Sequence, residues 1–159
     1  KEDPETGKSG WWYTPFVIEP AAGATRGLLV YLLDAYHEET VPDAEGNESS
    51  RVVMKLHPKL APIKAAVLPL VKKEGMPEIA RGIVSDFFKA GINARYDEQH
   101  SIGKRYRRHD EAGTPYCLTI DGQTKDDGTV TIRDRDTMEQ ERIPSENVIE
   151  KVRKNLALS

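Results

Sequence analysis

The chain has 159 residues, of which 31% are charged and 38% apolar, and a formal net charge of −3. That is long enough for one domain, or one domain with a substantial extra piece, around a buried core. No apolar run approaches the roughly 20 residues of a membrane span, and an acidic chain can hold a polyanion only through a local basic patch. The charged residues 1–8 lack the apolar stretch of a signal peptide. Cys117, the single cysteine, cannot form an internal disulfide, which fits a reducing, cytoplasmic setting.

In chain order, WWYTPFVIE (11–19) is aromatic and β-branched, which predicts a strand interrupted by Pro15. A turn, EPAAGAT, follows. RGLLVYLLDAYHEE then places Leu28, Leu29, Leu32, Leu33 and Tyr36 at helical spacing. The polar, turn-rich VPDAEGNESS marks a boundary near residue 50, dividing the chain into residues 1–50 and 51–159. Beyond it, strands and helices alternate. IKAAVLPLV (63–71) is a compact apolar run suited to a strand buried on both faces. A helix over 77–90 carries Ile79, Ile83 and Phe87 at spacings of four and ends at Gly91. INARYD (92–97) reads as a strand and SIGKRYRRHDE as a helix capped by Ser101. YCLTI (116–120) and TVTIRDRD (129–136), joined by the turn-forming GQTKDDG, predict an antiparallel hairpin. A last helix begins near Ser145 with Val148, Ile149, Val152 and Leu156 on one side. The order predicts an α/β fold, a mixed sheet with helices on its faces.

The densest feature is SIGKRYRRHDEAGTP (101–115), four bases within five positions ending in two acids. At 100° per residue, Ile102, Tyr106 and His109 share one face, and Lys104, Arg107, Arg108 and Glu111 the other. The apolar side is suited to pack on the sheet. The basic side is either a solvated surface or a binding face, to which TIRDRD would add Arg133 and Arg135 from a neighbouring strand. Arginine's planar fork bonds phosphates and base edges, and a nearby Asp or Glu accepts from a cytosine amino group. Such a mixed surface suits reading of single-stranded RNA.

SIGKRYRRHDEAGTP followed by TIRDRDTMEQ resembles the C-terminal anticodon-binding domain of glycyl-tRNA synthetase, a class II aminoacyl-tRNA synthetase. HPKLAPIKAAVLPLV is similar to that domain's first strand, and TPFVIEPAAGATR to the third class II signature motif. The resemblance implies a mixed five-stranded sheet flanked by helices over residues 51–159, preceded by a strand-turn-helix remnant of the catalytic domain over 1–50. In the family, glycine and ATP form glycyl-adenylate and pyrophosphate, and the glycyl group passes to the terminal adenosine of glycine tRNA. Arg26 matches the motif-3 arginine that lies against ATP, and Glu19 a glutamate of the glycine pocket. Ala21 stands where the family commonly has Ser. The resemblance assigns RNA contact to Arg105, Arg108, Asp110, Glu111, Arg133 and Arg135, with the acids reading the two cytosines that glycine anticodons share. The alternative for these residues is intramolecular pairing, Arg108 with Asp110 or Glu111, and Arg133 with Asp134 or Asp136.

The first two class II motifs have no counterpart here, so the chain is expected to be a C-terminal fragment, inactive alone. The whole enzyme would be a cytoplasmic homodimer using ATP and Mg2+, with tRNA as partner and neither DNA nor membrane. The isolated anticodon unit would bind no cofactor. His37, His57, His100 and His109 lack metal-ligand spacing, and neither G-x-G-x-x-G nor a P-loop occurs. The rival readings are an anticodon-binding domain of another class II synthetase or of a non-catalytic RNA-binding protein, and a small α/β enzyme.

Overall fold

The computed structural model describes residues 2–10, 14–42 and 46–156. Helix α1 (Ala24–Ala35) leads into an antiparallel hairpin of β1 (Tyr36–Pro42) and β2 (Glu48–Met54), in register from Tyr36 opposite Met54 to Pro42 opposite Glu48. Two expectations change here. Residues 14–23 carry no regular element, and residues 11–13 lie outside the described residues. The helix also stops before YHEE. Tyr36 is already extended (φ −75°, ψ 122°), and the Lys55 amide donates to the carbonyl of Ala35 across the hairpin base at 2.6 Å. The β-branched Thr40 and Val41 face a strand whose Arg51 and Val53 point inward, so cross-strand pairing wins over helical continuation. The polar residues around position 50 are therefore not a loop: β2 runs through them.

The remainder is one sheet in the order β4-β3-β5-β6-β7, comprising β3 (Ala65–Pro69), β4 (Ala94–Tyr96), β5 (Tyr116–Ile120), β6 (Thr129–Asp134) and β7 (Gln140–Pro144). Strands β4 and β5 both run parallel to β3, and β6 and β7 are antiparallel additions. The expected five-stranded mixed sheet is present, with β7 as the strand not located from sequence. Its QERIP has only Ile143 as a buried apolar residue, too little for a period-2 signal. The predicted turn GQTKDDG is instead a short helix, α4 (Gly122–Asp127), because Asp121 and Thr124 form a reciprocal capping box and Gly128 closes it at φ 71°. The β5–β6 pairing is antiparallel as expected.

Helices divide between the two faces as strand alternation dictates. On one face Ala65, Val67, Tyr116, Leu118, Ile120, Val130 and Ile132 pack against α2 (Met76–Lys89) and α5 (Val148–Asn155), with Ala80, Phe87, Val148 and Val152 fully buried. A 3-10 turn, Ser145–Asn147, precedes α5. On the other face Ala66, Leu68 and Cys117 pack with Ile102 and Tyr106 of α3 (Ile102–Glu111). The β3–α2–β4 and β4–α3–β5 crossovers thus leave on opposite sides, which sets the carboxyl ends of β3, β4 and β5 around a switch point.

Candidate nucleic-acid interface

Helix α3 has the predicted amphipathic form, and its N-cap is Ser101, although the Ser101 side chain makes no capping bond. Ile102 and Tyr106 rest on the sheet, and the Tyr106 hydroxyl lies 2.6 Å from Thr119 Oγ1. Lys104 and Arg107 are exposed, as is Glu111, and Arg108 is 41% exposed. Arg107 reaches Ser49 Oγ at 2.6 Å and the Ser50 carbonyl at 3.2 Å.

Four of the residues expected to face RNA are turned inward. Arg105, 2% exposed, donates to the carbonyls of Pro69 (2.6 Å), Asp97 (3.3 Å) and Leu70 (3.4 Å) and so closes the mouth of β3. Asp110, 1% exposed, accepts from Arg133 Nη1 at 2.9 Å and Nη2 at 3.1 Å, and from Arg51 Nε at 3.0 Å. Arg133 also lies over the Tyr106 ring, 4.9 Å from its centroid. Arg135 donates to Gly113 O (2.9 Å) and Leu56 O (3.0 Å), pairs with Asp136 (2.8 Å), and its own carbonyl accepts from Arg51 Nη2. The wheel places Arg105 and Asp110 at the border of the buried stripe, and β6 alternation puts Arg133 on the same sheet face as Cys117, opposite it in register. Neither position is on the solvent side once α3 docks. Arg108 and Arg133 each make an intramolecular pair, but not with the acids named from sequence: Arg108 pairs with Asp97 at 2.6 Å, and Arg133 with Asp110.

Arg51, absent from the sequence-based set, is the hub of this layer, joining Asp110, Glu39 (2.8 Å) and the Arg135 carbonyl. Its signal was alternation in ESSRVVM, where position 51 falls on the inward side with Val53. Gly113 is required beside it. Its φ is +75°, and a Cβ there would lie 2.8 Å from Leu56 Cδ1 and 3.1 Å from the Met54 carbonyl. Cys117 is buried as expected, and burial pushes its thiol up to about 12.

At the carboxyl end of β4 lies a cleft of about 280 Å3 lined by Arg95, Tyr96, Asp97, Glu98, Gln99 and Arg108. Asp97 is its fixed point. Oδ1 accepts from the Gln99 amide at 3.0 Å, and Oδ2 from Arg108 Nη1 at 2.6 Å, with His109 Nε2 at 3.5 Å. Burial alone would raise its carboxyl, but the Gln99 amide, Arg108 and His109 outweigh it and hold the pKa below the ordinary value. His109 is buried and its pKa lowered by that burial. At the other edge of the sheet, Arg142 of β7 grips Asp121 bidentately at 2.8 and 2.9 Å and holds its carboxyl down at about 2.

Glu19 lies in the irregular stretch and Arg26 in the first turn of α1, and both are exposed. Among the described residues, no helix is long and apolar enough to cross a membrane.

Residues 64–155, the five-stranded sheet with α2 to α5, match the family model described as "Anticodon binding domain". The chain belongs to the anticodon-binding domain family. The match covers the whole sheet but not α1 or the β1–β2 hairpin. Over a longer span, the chain is similar to proteins named glycine–tRNA ligase. That of Rhodopirellula baltica is 52% identical over 147 residues, 92% of this chain and 27% of its own. Those of Clostridium perfringens and Treponema denticola are 50% and 48% identical, over 97% and 89% of this chain and 32% and 31% of theirs. The chain therefore spans under a third of the length of these relatives. Their identity to it extends well beyond the anticodon-binding domain match, into the segment that carries α1 and the hairpin.

Proposed function

We propose that this chain is the C-terminal part of a glycine–tRNA ligase and that its anticodon-binding domain holds the anticodon loop of glycine tRNA. What carries the reading is about 50% identity, over nearly the whole chain, to relatives bearing that name. The exposed cations Lys104 and Arg107 of α3, with the half-buried Arg108, would neutralise loop phosphates, with the exposed Glu111 beside them. The buried Arg105, Asp110, Arg133 and Arg135 would support that surface from beneath.

In the whole protein, glycine and ATP would give glycyl-adenylate and pyrophosphate, and the glycyl group would pass to the tRNA. Residues 1–50 would be the end of the catalytic domain and 51–159 the anticodon unit, with the β1–β2 hairpin straddling the boundary between them. Supporting this division, Leu28, Leu29, Val30, Tyr31 and Leu33 of α1 are 55–68% exposed, an apolar surface far too continuous for a finished one. Arg26 would face ATP and Glu19 the glycine ammonium. One guanidinium and one carboxylate, both on the open surface, do not by themselves make a nucleotide or Mg2+ site, so those substrate contacts belong to the longer protein. That protein would be a cytoplasmic homodimer with no DNA or membrane partner.

Binding of the purified chain to a panel of tRNAs tests the proposal. Preference for glycine tRNA by about tenfold or more is expected, and equal binding to all tRNAs would refute it. In pyrophosphate exchange with glycine and ATP, no turnover by the isolated chain is expected.

A further inference from the structure

The β1–β2 hairpin is fastened to the five-stranded unit through a charged seat. Of β2 only Arg51 and Val53 are buried, and Arg51, 3% exposed, extends its guanidinium in three directions. Nε donates to Asp110 of α3 at 3.0 Å, Nη1 to Glu39 of β1 at 2.8 Å, and Nη2 to the Arg135 carbonyl just past β6. Arg135 in turn donates to the Leu56 carbonyl at 3.0 Å, just past β2. One turn before Asp110 on α3, Arg107 reaches Ser49 and Ser50 of the same strand. In the other direction the hairpin runs without a loop into α1, and the Lys55 amide ties its base to the Ala35 carbonyl.

An apolar seat lets two elements slide, whereas three hydrogen bonds from one planar fork are all satisfied at a single angle. Charge balance does not depend on Arg51. Asp110 is also paired with Arg133, and Glu39 with Lys55, so both carboxylates keep a counter-charge without it. What Arg51 adds is the fixed angle between the hairpin and α3. Helix α3 carries the exposed Lys104 and Arg107, and α1, at the hairpin's other end, carries Arg26. A tRNA held by its anticodon loop on α3 is a long lever, and a small tilt at its foot becomes a large displacement at its acceptor end. A misplacement of about 1 Å at a reacting centre costs about a hundredfold in rate, while contacts at the foot of the lever are unchanged.

We infer that Arg51 is a positioning residue for glycyl transfer, holding the RNA-bearing helix at one angle to the end of the catalytic domain. In that step a terminal ribose hydroxyl of the tRNA attacks the glycyl carbonyl of the adenylate. An ester bond forms, the acyl–phosphate bond breaks, and AMP and a proton leave. The inference rests on the ligase reading above and deepens it, since Arg51 touches neither substrate and acts through the geometry of the seat.

The test uses the full-length ligase proposed above, with three readouts: pyrophosphate exchange for adenylate formation, tRNA affinity, and the single-turnover rate of glycyl transfer. Arg51→Ala should slow transfer by about tenfold or more, while exchange and tRNA affinity stay within about twofold. Arg51→Lys, which keeps the charge but not the planar fork, should recover part of the rate. If Arg51→Ala fails to fold, Glu39→Ala decides, because it releases the hairpin side of the seat from a partly exposed position and leaves Arg51 on Asp110; the same split is expected. Transfer unchanged in the folded variants, or exchange and affinity falling in step with it, would overturn the positioning role and leave the ligase reading standing. An unaltered full-length protein without glycine-dependent exchange would overturn both.

Discussion

Asp110 shows how far the role of a residue can depart from its neighbourhood in sequence. It sits directly after a run of bases, yet its carboxylate serves Arg133 from β6 and Arg51 from β2, at 2.9 to 3.1 Å. Replacing it by Asn leaves the buried Arg133 without its counter-charge, while Arg51 keeps Glu39, a loss of about 3–5 kcal/mol. Asp110→Asn should therefore lower the midpoint of urea unfolding sharply, and an unchanged midpoint would show that the pairs are not formed. Asp121 allows a cleaner titration test. Its folded pKa lies at about 2, below the ordinary carboxyl value near 3.9. The stabilisation is thus complete above about pH 4 and is lost as pH falls through about 2. Asp121→Asn keeps a good N-cap for α4 but loses the charge facing Arg142, a pair only partly buried. It should cost about 1 kcal/mol at neutral pH, and its stability curve should merge with that of the unaltered chain at the acid end.

Among the elements, α1 and α3 are opposites. Helix α3 pairs a narrow apolar stripe with a polar back, so its sequence announces both its packing and its orientation. Helix α1 is apolar nearly all round, and only Ala35 of its residues is buried. The double change Leu29→Lys, Leu33→Lys should reduce self-association in light scattering and leave thermal unfolding nearly unmoved, within about 0.5 kcal/mol. A large loss of stability would instead mean that α1 packs on the anticodon unit. The hairpin after α1 escaped sequence reading because Leu28 to Tyr36 continue a helical period past the point where the chain turns extended. Pairing with β2, from 6 to 18 residues away, overrides that local pattern. The helical GQTKDDG segment was missed for a related reason. Gly and Asp suggest a turn, and only the reciprocal bonds of Asp121 and Thr124 convert it to a cap.

For the whole molecule, a net charge of −3 means that any attraction for RNA is local and should be screened by salt. Lys104→Gln and Arg107→Gln, both on the open face of α3, should each lower the slope of log affinity against log salt by about one for glycine tRNA. Arg133→Gln should act mainly on stability, since Arg133 is 6% exposed and committed to Asp110. The alternation of apolar strands with amphipathic helices was enough to determine the α/β class, four of the five sheet strands and the inward stripe of α3, because those patterns are periodic and local. Which arginines face solvent was decided only by tertiary structure. Strand β6 brings Arg133 under α3, β2 delivers Arg51 from far upstream, and the ends of β3 and β4 put carbonyl acceptors around Arg105. The cleft at Asp97 likewise exists only because β4 and α3 meet there. A charge in sequence carries no record of its partner, and it is the partner, set by long-range packing, that turns the side chain inward or leaves it in water.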